Sequence, residues 1–102
     1  MTRGEIWFAQ VGRKRRPVLV LTRPEVIDVR VLVTVAEVTS SIRNIAAEVA
    51  FDHVGAGLDR PSVINCDGLH TITKASLTTY AGSVSEDTME RICAAVGYAL
   101  GC

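Results

Sequence analysis

Val29-Arg30-Val31-Leu32-Val33-Thr34-Val35-Ala36-Glu37-Val38-Thr39 is the stretch on which the fold turns. Val29, Val31, Val33 and Val35 recur at every second position, with Arg30 and Thr34 between them. A period of two puts the valines on one face of a β-strand. Val38 falls out of phase and Ala36-Glu37 breaks the alternation, which predicts a bulge or strong bend near Ala36. Upstream, Pro17-Val18-Leu19-Val20-Leu21-Thr22 is an apolar run opened by a proline and reads as a buried strand. Residues 4–11 are rich in aromatic and β-branched types and read as another strand, and Arg23-Pro24-Glu25 marks a turn. Downstream, Ser40 to Asn44 is a polar connection. Ala47 to Phe51 and Ser62 to Cys66 read as short strands separated by a loop around Gly55-Ala56-Gly57. Leu69 to Thr73 follows as a further strand after a turn at Asp67-Gly68.

The period then changes. Ser85 is a natural N-cap, Glu86 and Asp87 add negative charge to a first turn, and Val84 and Met89 have the spacing of a hydrophobic staple. Met89, Ile92, Cys93, Val96 and Leu100 form an apolar stripe at helical spacing, with Cys93 expected in the core and Cys102 exposed. Five or more short strands and one terminal amphipathic helix predict a mainly β fold: a small antiparallel β-barrel with the C-terminal helix packed on it. A chain of 102 residues is expected to be a single domain over 1–102. A core of that size, on valine-rich strands, predicts completion by a homodimer.

Hydrophobic residues are 48% of the chain and charged residues 22%, a balance that argues against disorder. No apolar run approaches the ~18 residues needed to span a bilayer, so no membrane partner is expected. The stretch Met1 to Glu5 lacks the apolar core of a signal peptide, and the expected address is cytoplasmic. Cys66, Cys93 and Cys102 include no C-x-x-C pair, and His53 and His70 have no ligand spacing to them. Neither a metal site nor any other cofactor is expected, and the cysteines read as reduced thiols.

The formal net charge is zero, with 11 basic and 11 acidic residues. It is not evenly spread. Residues 1–24 hold six basic groups against Glu5 alone, and residues 25–102 hold five basic against ten acidic. Four of the basic residues are consecutive, Arg13-Lys14-Arg15-Arg16, between two strand-like segments. Such a run is either a solvated turn or the footprint of phosphate binding. Arg16 stands directly before Pro17, which fixes the chain beneath its side chain. Thr39-Ser40-Ser41 lies at the end of the valine strand, where loops carry function. Arginine with a hydroxyl suits metal-free cleavage of RNA, in which the substrate's own 2′-hydroxyl is the nucleophile. A guanidinium grips two phosphate oxygens and stabilises the extra negative charge of the transition state. Both types are also common at strand ends for structural reasons.

Arg3-Gly4-Glu5-Ile6-Trp7, then Arg16-Pro17-Val18-Leu19-Val20-Leu21, then Val38-Thr39-Ser40 resembles the MazF/PemK family of toxin endoribonucleases. Pro61-Ser62-Val63-Ile64-Asn65-Cys66-Asp67, Thr71-Ile72-Thr73-Lys74 and Gly82-Ser83-Val84-Ser85 continue the similarity in order, from Arg3 to about Leu100. The resemblance implies a PemK-like barrel related to SH3 barrels. It implies a homodimer that cleaves single-stranded RNA at short sequence motifs, without metal, leaving a cyclic or 3′-phosphate and a 5′-hydroxyl. It also implies inhibition of translation and growth, and neutralisation by a cognate acidic antitoxin that blocks the active site. The family's catalytic arginine and threonine fall on Arg16 and Thr39. Asp67 matches an acidic position that some members use near the site. Ser40 and His70 are further accessory positions.

The first loop, Val11 to Arg16, is shorter and more basic than is usual in the family, and Gly68 and His70 stand where Gln and Arg are common. For His70 a proton-transfer role and a packing role both stay open. Arg13, Lys14 and Arg15 are expected to bind RNA phosphates along the route to Arg16, with Arg43 as a second contact. Trp7 and Phe8 are left out of the site. The alternative function is a non-catalytic toxin of the same fold that binds a protein such as DNA gyrase, or a degenerate paralogue that binds RNA without cutting it.

Overall fold

The computed structural model describes residues 1–11 and 13–102, the side chain of Val11 excepted. Gly12, in the middle of the expected first loop, lies outside the described residues. The strands are β1 (Glu5–Val11), β2 (Lys14–Val20), β3 (Leu32–Thr39), β4 (Glu48–Ala50), β5 (Val63–Thr73) and β6 (Leu77–Ser83). A four-residue helix α1 (Pro24–Ile27) joins β2 to β3, a 3-10 turn (Lys74–Ser76) joins β5 to β6, and helix α2 (Glu86–Leu100) ends the fold. The strands make one antiparallel sheet in the order β4-β5-β3-β2-β1-β6.

The mainly β architecture with a C-terminal helix is as expected, with local corrections. Most of the basic run is not loop: Arg13 stays in the turn, but Lys14, Arg15 and Arg16 are the first three residues of β2, paired with Val11, Gln10 and Ala9. The expected turn at Arg23-Pro24-Glu25 opens α1, with Pro24 in its first turn, where a missing N–H costs nothing. Val29 and Val31 lie outside β3 and are exposed, because the chain enters the sheet only at Leu32. Asp67-Gly68 is not a turn between two strands. It is a bulge within β5, and Ala36 pairs with Leu69 while Glu37 pairs with Asn65. The irregularity near Ala36 was therefore legible, but the extra residues belong to the partner strand. Strand β6 had no counterpart in the sequence reading.

The sheet is also not a closed barrel, since its edge strands β4 and β6 do not pair. Strand β4 has only three residues, and the turn at residues 53–57 runs against β6 instead. A Cβ at Gly57 would fall on the Ala81 carbonyl, and one at Gly82 on the Ala56 carbonyl. Glycine at both positions lets the two backbones touch.

Two cores lie on opposite faces of the sheet. Ile6, Leu19, Ala36, Val38, Ile64 and Cys66 pack with Ile92 of α2. On the other face Ala9, Val18, Val20, Val33, Val35 and Leu77 pack with Ile27 of α1. This is why Val38 is out of phase with Val33 and Val35: β3 is buried on both faces. Helix α2 begins as predicted, with Ser85 Oγ accepting from the Thr88 N–H at 3.2 Å. Its inward line is Thr88, Ile92 and Ala95, flanked by Met89 and Val96. Cys93 is exposed rather than buried, since adjacent helix positions are about 100° apart and Ile92 takes the centre. No described helix is long and apolar enough to cross a membrane.

Candidate functional site

Adjacent strands β2, β3 and β5 align the site by parity. Val18 pairs with Glu37, and the same register carried outward sets Arg16 across from Thr39. His70 pairs with Val35, so its neighbour on the same face, one pair along β3, is Glu37. A groove of about 540 Å³ on this face is lined by Lys14, Arg16, Glu37, Thr39 and His70 over a floor that includes Val18, Val35 and Ile72. A second groove, of about 360 Å³, is lined by Phe8, Arg15, Arg16, Thr39, Ser40 and Arg60, among others. Arg16, Pro17, Val38 and Thr39 line both grooves, so the Arg16–Thr39 pair stands where the two meet.

Arg16 is exposed and has no ion-pair or hydrogen-bond partner among the described residues, so its guanidinium is available to an anion. Thr39 Oγ1 accepts from the Ser41 N–H at 3.1 Å, which fixes the oxygen and leaves its O–H to donate. His70 Nε2 lies 3.3 Å from Glu37 Oε2. The Arg15 guanidinium sits 4.4 Å from the centre of the Phe8 ring, a cation–π contact at the wall of the second groove.

The structure thus brings together Arg16, Thr39, Lys14 and His70 in one groove, and Arg16, Thr39, Arg15 and Ser40 in the other. Arg13, Asp67 and Arg43 line neither. Asp67 is exposed on the β5 bulge. Arg43 is held by Glu48, Nε to Oε2 at 3.1 Å, and Glu48 also accepts from the Arg43 and Asn44 N–H groups at 2.9 and 3.0 Å. Burial opposes the charge on Glu48, but these donors outweigh it and hold the carboxyl below its ordinary range. Trp7 packs on the face of the second core and edge-on to Tyr80, with ring centres 5.7 Å apart. Phe8 and Glu37 were missed. Phe8 faces away from Trp7 by the alternation of β1, a signal present in the sequence, whereas the position of Glu37 depends on a bulge in another strand. Among the described residues no three His, Cys, Asp or Glu gather as metal ligands.

Residues 2–100 match the family model described as PemK-like, MazF-like toxin of type II toxin–antitoxin system. Endoribonuclease MazF3 of Mycobacterium tuberculosis is 40% identical over 94 residues, covering 92% of this chain and 89% of that protein. Probable endoribonuclease MazF5 of the same organism is 33% identical over 101 residues, covering 98% and 93%. Among solved structures, an endoribonuclease from a mycobacterial species in complex with its cognate antitoxin superposes with a TM-score of 0.90 at 26% identity, covering 99% of this chain and 95% of that one. The Mycobacterium tuberculosis toxin MazF-mt6 gives 0.87 at 38% identity, covering 95% and 96%. The chain belongs to the family of PemK-like, MazF-like toxins of type II toxin–antitoxin systems.

Proposed function

We propose that this chain is a toxin endoribonuclease that cuts single-stranded RNA without a metal ion, with Arg16 and Thr39 as its catalytic pair. The observation that carries the reading is an unpartnered guanidinium and a fixed threonine hydroxyl at the junction of two grooves. A scissile phosphate at that junction would leave the RNA running into both grooves. Arg16 binds two non-bridging oxygens and offsets the charge that grows as the 2′-oxygen attacks phosphorus. Thr39 donates to the same phosphate. The products are a 2′,3′-cyclic phosphate, or the 3′-phosphate from its hydrolysis, and a 5′-hydroxyl. Lys14 and Arg15 hold flanking phosphates, and Phe8, backed by Arg15, offers a face on which a base stacks. Asp67 and Arg13 line neither groove and are given no part in the reaction, and Ser40 contributes a hydroxyl to the wall of the second groove.

The names of the relatives, endoribonucleases in each case quoted, agree with RNA cleavage and lend no support to a gyrase-binding toxin. An acidic antitoxin segment would compete with RNA for the same cations, and one neighbour is solved in complex with its cognate antitoxin. Val29, Val31, Tyr98 and Leu100 are large exposed apolar residues, which favours a homodimer. The cytoplasm, where RNA is translated, is the matching address.

Long RNA incubated with the purified protein in EDTA tests the reading. New 5′ ends that accept phosphate directly from a kinase, without prior phosphatase, are expected. Ends that already carry phosphate, or no cleavage until a divalent metal is added, would overturn it.

A further inference from the structure

Attack by a 2′-hydroxyl needs a proton removed at one end of the reacting centre and one supplied at the other. Arginine stays charged and a threonine hydroxyl gives up its proton reluctantly, so Arg16 and Thr39 do not meet the second need. Of the side chains that line the first groove, only Lys14, Glu37 and His70 exchange protons, and histidine is the type most often used for such transfers. We propose that His70 is the general acid of the cleavage and that Glu37 is the positioning residue that orients its ring. This rests on the RNA-cleavage reading above.

Two features carry the assignment. His70 and Glu37 share the sheet face of Arg16 and Thr39, and their side chains meet at 3.3 Å. Secondly, the β5 bulge is built around Glu37. An unbroken register from Val35–His70 would set Gly68 directly opposite Glu37; instead Asn65 pairs with Glu37, and a Cβ at Gly68 would fall on Glu37 Oε2. Glycine there is what leaves room for the carboxylate. Bulges of this kind re-aim side chains beside active sites.

In-line attack puts the 2′-oxygen and the 5′-oxygen on opposite sides of phosphorus. Two groups in contact with one another serve one end, not both, so the pair acts as a unit. Glu37 accepts from Nε2–H and leaves Nδ1–H of the imidazolium to give its proton. The P–O2′ bond forms as the P–O5′ bond breaks, the bonding pair goes to O5′, and O5′ takes the proton from His70. The 2′-hydroxyl proton leaves to water, and the imidazole is reprotonated from solvent. The charged groups that share the groove with His70 are Glu37 from β3 and Lys14 and Arg16 from β2.

The test uses two RNAs with the same mapped site, one with sulfur replacing the bridging 5′-oxygen. A thiolate leaves without being protonated. His70→Gln is expected to lower the single-turnover rate on the all-oxygen RNA by about 100-fold or more, and to cut the sulfur RNA at close to the wild-type rate. Glu37→Gln should give a smaller loss with the same recovery. Arg16→Ala should be slow on both. Equal losses for His70→Gln on both RNAs, or no loss on the oxygen RNA, would overturn the assignment while leaving the Arg16 reading intact. Wild-type protein inactive on both would overturn that reading too. The His70 side chain is 54% exposed, so its replacement should leave the fold intact, and a thermal melt of each variant checks this.

Discussion

The role proposed for Arg16 rests on a fork of donors rather than on charge alone, and a substitution separates the two. Arg16→Lys keeps the charge but loses the bidentate grip, so its cleavage rate should fall nearly as far as that of Arg16→Ala, while RNA affinity in a binding titration changes much less. Arg43 is a contrasting case. Bound to Glu48, it is expected to leave the salt slope of RNA binding unchanged when replaced by alanine, whereas Arg15→Ala should reduce that slope by about one. Glu48 itself carries a pH signature. A carboxyl held below its ordinary value of 4.5 contributes stability above that pH, and the contribution is lost as pH falls through the lowered value. Glu48→Gln should therefore flatten the acid limb of the stability curve. Cys66 has the opposite sign: burial above all, then the charges of Asp67 and Cys93, push its thiol up from 9.0 to about 11. Its contribution is present below pH 9 and lost as pH rises towards that value. At this scale the placement of Arg16 and Thr39 beside one another was legible because a motif falls on each. Glu37 was not, since nothing in residues 32–39 signals that Gly68 makes room for it.

At the scale of elements, α2 and the β5 bulge set stability and geometry respectively. Ile92 is fully buried between α2 and the sheet, so Ile92→Ala should cost about 2–5 kcal/mol in denaturant unfolding. Ser85→Ala removes the cap and should cost about 1 kcal/mol. Gly68→Ala probes the bulge: its methyl group must displace the Glu37 carboxylate, and the cleavage rate should drop at least as far as in Glu37→Gln. The helix was readable because capping and periodicity are local properties. Strands β5 and β6 were harder. Asp67-Gly68 has the composition of a turn, and only its pairing with β3 makes it a bulge. Leu77 to Ser83 lacks alternation because only Leu77 and Gly82 are buried in it. Val29 and Val31 extended the alternation of β3 past its real start, since periodicity does not record where a chain leaves the sheet.

Over the whole molecule, the zero net charge is a sum of opposites. Its positive part is concentrated on β2, and the sheet order sets that strand between β1 and β3, which contribute Phe8 on one side and Glu37 and Thr39 on the other. The RNA site proposed for a neutral chain rests on that placement, and raising the salt concentration should weaken RNA binding steeply even though the net charge is zero. The parity that sends Lys14 to one groove and Arg15 to the other, with Arg16 where the two meet, is a consequence of these three residues being strand rather than loop. The most direct test of the central claim is single-turnover cleavage of one RNA, bearing a mapped site, in EDTA by the wild-type protein, Arg16→Ala and Thr39→Ala. The account predicts rapid cleavage by the wild type and a loss of about 100-fold or more for Arg16→Ala, with a marked loss for Thr39→Ala. Undiminished cleavage by both variants would contradict it.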